Sequence, residues 1–142
     1  MDSRRLEDSI ILHEGGPALK PELDPAGDGS QVIGYGRNLQ RKGITRVEAY
    51  YLLSCDIAEL AHAVPAIVSD FWALNDARQN VLLELAYVVG LTGLAGFHNM
   101  LSALAIHEYE IAANEILNSK FARQVGQRAI TLAHQMRTGE FA

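Results

Sequence analysis

Cysteine is nearly absent: one residue, Cys55, in a chain of 142. A single thiol cannot close an internal disulfide, so packing and hydrogen bonding must hold the fold. Such scarcity fits a protein made in a reducing compartment, and Cys55 is expected to be a buried structural thiol. Positive charge is also short. Twelve Lys and Arg against 17 Asp and Glu leave a net charge of -5. Nucleic acid is thereby excluded as the partner, because binding it needs a basic stripe. The same balance gives no global attraction to an anionic polymer, although Lys120, Arg123, Arg128 and Arg137 make the C-terminal stretch locally basic. No long apolar run is present. The longest, residues 81–97, is interrupted by Glu84 and three glycines and falls short of a bilayer span, so no stable membrane insertion is expected. The opening residues carry no long apolar core, so no secretory signal is expected. His62, His98, His107 and His134 are scattered without ligand spacing, and neither metal nor cofactor is expected. Ser9 and Ser54 have no matching His and acid, which argues against a serine hydrolase.

What remains is an ordinary globular composition, long enough for one domain or one domain of two lobes. Asp2 or Ser3 can cap a first helix that carries Leu6, Ile10 and His13 at helical spacing until Gly15, Gly16 and Pro17 stop it. Residues 18–36 hold the strand-like material, with Gln31 to Tyr35 as a short strand. Thr45 and Glu48 form a capping box that opens a helix. That helix should turn Ala49, Leu52, Leu53, Ile57 and Leu60 toward a core and fade before Pro65. A short helix at 66–71 follows. Asp76 is then expected to cap a helix ending at Gly90, with three more helices over 94–105, 108–117 and 127–137. The class is α+β: a small lobe with a short hairpin or sheet, a long linking helix and a larger all-helical lobe. The cleft between two such lobes is a natural place for a ligand.

Two acids bracket the glycine-rich turn. Glu14 ends the first helix, where the dipole and partial burial both favour the protonated form. Asp24 precedes Pro25, which holds it extended. Glycoside hydrolysis needs one carboxylic acid to protonate the leaving oxygen and one carboxylate on the opposite face of the sugar. The alternatives are a solvated glutamate at a helix end and, for Asp24 and Asp28, ordinary turn formers. A calcium loop fails because Ala26 and Tyr35 stand where it needs ligands.

The strings H-E-G at 13–15, L-K-P at 19–21, an aspartate and I-G-Y-G-R-N-L at 33–39 resemble the phage-type lysozymes, glycoside hydrolase family 24. The resemblance continues through G-I-T-x-x-E-A, L-L-x-x-D-I, G-L-x-G-F, A-R-Q-V-G-x-R-A and M-R-T-G, in order and over nearly the whole chain. It implies one lysozyme-like domain, with a small lobe at about 14–60 and a helical lobe from about 1–13 plus 61–142. It implies a muramidase cutting the β-1,4 bond between N-acetylmuramic acid and N-acetylglucosamine. Glu14 would be the proton donor, and Asp24 would hold the attacking water, with Asp28 as the fallback. An inverting pair should stand roughly 6.5–9.5 Å apart. The resemblance further implies an endolysin that acts as a monomer on peptidoglycan strands. It would be held in the host cytoplasm until a membrane-permeabilising holin opens the way to the wall.

By the same resemblance Arg128 pairs with the acid, and Arg37 with Asp56 braces the small lobe. Tyr35 and Asn99 would face sugar. Three positions depart from the family pattern. Relatives read T-I-G-Y-G, with a threonine hydroxyl on the water, where this chain has Val32. Ser30, two residues earlier on the same strand face, is expected to take over that contact. Glu84 and Val88 replace polar amides, through altered sugar contacts or mere surface drift. The rival readings are a lytic transglycosylase, a peptidoglycan-binding homologue with weakened or lost chemistry, and a non-catalytic helical interaction protein.

Overall fold

The structure is a computed structural model and describes residues 2–142. The chain forms two compact units, 1–51 and 52–142.

The first unit begins with α1 (Ser3–Glu14). The Asp2 carboxylate accepts the N–H of Arg5 and so caps it, as the sequence suggests. Three strands follow: β1 (Ala18–Leu23), β2 (Gln31–Gly34) and β3 (Arg37–Asn38), forming an antiparallel sheet in the order β1-β2-β3. Pro21 lies on the edge strand, where its missing N–H breaks no central ladder. The β1–β2 register shifts between Ala18 and Glu22, around that proline. In the β2–β3 pair, Val32 stands opposite Asn38. The expected strand at 31–35 is therefore one of three, and it stops at Gly34. Helix α1 buries no side chain, and within residues 2–51 only Ser30 and Val32 are buried.

Helix α2 (Arg46–Ala63) starts at the capping box. Glu48 accepts the Thr45 N–H at 2.7 Å, and Thr45 Oγ1 accepts the Glu48 N–H at 3.2 Å. The expectation that its leucines enter a core is corrected: α2 has no buried residue, and Leu52, Leu53 and Ile57 are exposed. Leu60 alone of that set packs on the helical core, half-buried. Cys55, on the same helix, is exposed and is not the buried thiol expected.

The second unit continues with two 3₁₀ turns, Val64–Ala66 and Phe71–Ala73, in place of the single helix expected at 66–71. Then come α3 (Asp76–Ala95), α4 (His98–Ala105), α5 (Tyr109–Leu117), α6 (Lys120–Val125) and α7 (Gln127–Thr138). Asn75, not Asp76, caps α3 by accepting the Arg78 N–H. Gly90 interrupts α3 with φ 76° and ψ 168°, a conformation open to glycine, and the chain resumes helix to Ala95. Ser119 caps α6, a helix the periodicity does not reveal.

The core of this unit is a single apolar cluster: Val81, Leu82 and Leu85 from α3, Met100 and Leu104 from α4, Ile116 from α5, Leu132 and Met136 from α7. Ala112 and Ala113 on α5 and Ala129 and Ala133 on α7 are all buried, and their small side chains let these two helices lie close together. Arg78 fastens the end of α7: Nε donates to the Met136 carbonyl at 2.9 Å and a second nitrogen to that of Arg137 at 3.1 Å. The same guanidinium lies 3.6 Å from the Tyr109 ring centre.

Candidate functional site

Glu14 is the last residue of α1, and Gly15 turns the chain away with φ 78°. Its side chain is exposed, which corrects the partial burial expected from sequence. A Cβ built on Gly36 would sit 3.5 Å from Glu14 Oε2, so the carboxyl group rests against the backbone after β2. With φ 79°, residue 36 favours glycine in any case. Neighbouring His13 donates through Nδ1 to the Ser9 carbonyl, 2.6 Å away, and is exposed.

Glu14, Glu22, Asp24, Val32, Tyr35 and Gly36 line one concavity of about 450 Å³ in the first unit. The structure thus brings together the two carboxylates singled out by sequence, and sets Val32 and Tyr35 in the same wall. Val32 presents only methyl groups there.

Asp24 is half-buried and well held. Its Oδ1 accepts the Ala26 N–H at 2.9 Å, and its Oδ2 accepts the Asn38 amide at 3.0 Å. The backbone N–H of Ala26, then the side-chain amide of Asn38, hold its carboxyl below the usual carboxylate range. Asp28 is held lower still, at about 2, by the Ser30 hydroxyl and Ser30 N–H and by Arg41. Arg41 forms an ion pair with Asp28 Oδ2. Ser30 is buried between the two aspartates: its hydroxyl bonds Asp28 Oδ1, lies 3.4 Å from Asp24 Oδ2, and accepts the Asn38 amide at 2.6 Å. Asn38 and Arg41 escape the sequence reading. They stand 14 and 13 residues beyond their acidic partners, and only the three-stranded register brings them back.

Arg37 pairs with Glu48, Nη2 to Oε1 at 2.5 Å, and donates to the Gly43 carbonyl at 3.2 Å. Within the first unit Glu48 is its acidic partner, a pairing the sequence reading did not name. Glu48 also caps α2, so one carboxylate joins the sheet to the helix start. The Thr45 N–H, then the Thr45 hydroxyl and Arg37, lower its pKa.

In the second unit, Arg128 Nε donates to Glu84 Oε1 at 2.6 Å. This pair lies in a groove of about 490 Å³ with Leu53, Ile57, Leu60 and Tyr87. Val88 is exposed one residue further along α3. Asn99 lies elsewhere, at the start of α4, beside Glu115 (3.4 Å) in a concavity of about 510 Å³ that also takes in Phe97 and Lys120. Phe97 packs at the start of that helix.

Among the described residues, no group of three or more His, Cys, Asp or Glu side chains is arranged to hold a metal ion. No single helix there is long and apolar enough to cross a membrane. No curated protein matches the chain. A family model does, that of phage lysozyme, over residues 13–137. The match takes in both carboxylates, the whole sheet and the helical core down to Arg137. The chain belongs to the phage lysozyme family.

Proposed function

We propose that the protein is an endolysin-type muramidase that hydrolyses the β-1,4 bond between N-acetylmuramic acid and N-acetylglucosamine with inversion. The observation that carries this reading is the shared concavity: Glu14 and Asp24 open onto one space in the first unit. Glu14 is exposed and free to meet a glycosidic oxygen, which suits a general acid. Asp24 is held toward its ionised form by the Ala26 N–H and the Asn38 amide and lines the concavity, which suits the group that holds water. Tyr35 in the same wall is the sugar contact nearest the chemistry. Ser30 supports the water site indirectly, by accepting from Asn38, which holds Asp24. Arg128, Glu84 and Asn99 line grooves of the second unit and are read as substrate-binding and orienting groups.

The rest of the reading follows from the family. The substrate is peptidoglycan, reached from the host cytoplasm with a holin. The protein is a monomer and one lysozyme-like domain, with its small lobe at about 14–60.

One observation favours a second reading. Val32 puts no hydroxyl in the concavity wall, and the Ser30 proton is engaged by a carboxylate. A peptidoglycan-binding homologue with weakened chemistry would look like this. Clearing of permeabilised Gram-negative cells separates the two. Active wild-type protein with a loss of about 10²–10⁴-fold in Glu14→Gln fits the muramidase. Clearing that survives in Glu14→Gln removes Glu14 as the acid. Muropeptide analysis then distinguishes a reducing end from the anhydro sugar of a transglycosylase.

A further inference from the structure

Asp24 is oriented by Asn38, a residue inside the I-G-Y-G-R-N-L string to which the sequence assigns no role. Asn38 Oδ1 accepts the backbone N–H of Arg41 at 2.9 Å. A backbone amide can only donate, so this contact fixes which way the Asn38 carboxamide faces. Its NH₂ group must then point the other way. There it finds two acceptors, Asp24 Oδ2 at 3.0 Å and Ser30 Oγ at 2.6 Å, one for each proton. Ser30, having accepted from Asn38, turns its own proton onto a carboxylate, and Asp28 Oδ1 takes it. Arg41 closes the circuit by pairing with Asp28. Every polar atom in the ring has one consistent role, and no alternative flip of Asn38 keeps them all.

We propose that Asn38 is the positioning residue of Asp24: clamped by Arg41 and coupled through Ser30 to Asp28, it fixes the rotamer and the charged form of the carboxylate that faces the concavity. The proposal rests on the reading of Asp24 as the water-holding group. It also accounts for Val32. That position is directly opposite Asn38 in the β2–β3 pair, so the two side chains share a sheet face. The methyl groups of one border the concavity, while the amide of the other supplies the polar hold on Asp24. The other charged groups near Asp24 are Asp28, which opposes its ionisation, and Arg41, which favours it. Glu14 and Glu22 share its concavity.

The test uses Asn38→Leu and Asn38→Asp in the full chain. Both are close in shape to asparagine, and the second replaces the donor by an acceptor. Two readouts are followed: the pH dependence of kcat and KM on peptidoglycan, and a carbon-13 titration of the Asp24 carboxyl, which needs no turnover. In both variants the Asp24 midpoint moves up, the acid limb of kcat moves with it, and kcat falls about tenfold while KM stays within about twofold. An Asp24 midpoint unmoved in a folded variant overturns the proposal. So does a fall in kcat without any movement of the acid limb, since a structural role alone would give that. If Asp24→Asn keeps full activity, the catalytic reading of Asp24 fails. The carboxyl titration then still decides whether Asn38 governs it.

Discussion

Residues 52–142 gather an apolar core that runs from Val64 to Met136, whereas the described residues up to 51 bury only Ser30 and Val32. The contrast is chemical. The helical unit removes leucines, methionines and alanines from water, at about 25 cal/mol per Å² of apolar surface. The sheet unit leaves its large apolar side chains, Leu6, Leu12, Leu19 and Leu23 among them, exposed. Hydrogen bonds and ion pairs hold it instead: Asp24, Asp28, Ser30, Asn38 and Arg41 around one turn, and Arg37 with Glu48 at the next. Glu14 and Asp24, the proposed acid and water-holding group, lie in the polar unit. A catalytic acid and base must exchange protons with substrate and water, and an apolar interior would forbid that without large shifts in protonation. The polar unit is therefore the part most open to salt, pH and local unfolding.

Substitution breaks that comparison most sharply in the core. Leu82→Ala should cost about 2–5 kcal/mol, whereas Leu19→Ala, at an 84 % exposed site on β1, should stay within about 0.5 kcal/mol. Denaturant unfolding of both variants checks this, and equal losses would erase the distinction between the units. Next in size is Arg78→Met. It removes both hydrogen bonds to the end of α7 and the contact with Tyr109, for about 1.5–3 kcal/mol by thermal unfolding. Thr45→Ala should cost about 1 kcal/mol by losing half the capping box of α2.

The mildest effect is also the most local. Asp24, Asp28 and Glu48 all have lowered pKa values in the fold. A depressed carboxylate stabilises the folded state above its unfolded value, here 3.8 for Asp28, and loses that contribution as pH falls toward about 2. Amide signals of residues 18–48 should therefore broaden or shift on acidification before those of the helical core. Asp28→Asn should remove much of that difference. Simultaneous loss in both units would contradict it.

Legibility followed the same division. The N-cap at Asp2, the Thr45–Glu48 box and the four long C-terminal segments were readable because capping and helical periodicity act within a few residues. The cap of α3 was misplaced by one position, since Asn75 and Asp76 are both competent and only the backbone decides. Helix α6 was hidden by its length, as six residues give too little periodicity. On α2, Leu52, Leu53 and Ile57 looked like core residues because a sequence pattern marks an apolar face without saying what will cover it. Cys55 was misjudged for the same reason.

The order of residues alone determined the class of the fold, the caps that open α1 and α2 and the two acids worth naming, because each depends on neighbours a turn or so away. The tertiary structure decided which groups meet. Asn38 with Asp24, Arg41 with Asp28, Arg37 with Glu48 and Arg128 with Glu84 are each separated by ten residues or more along the chain. Hydrogen bonds and ion pairs act only over a few ångströms, and no local pattern carries that distance.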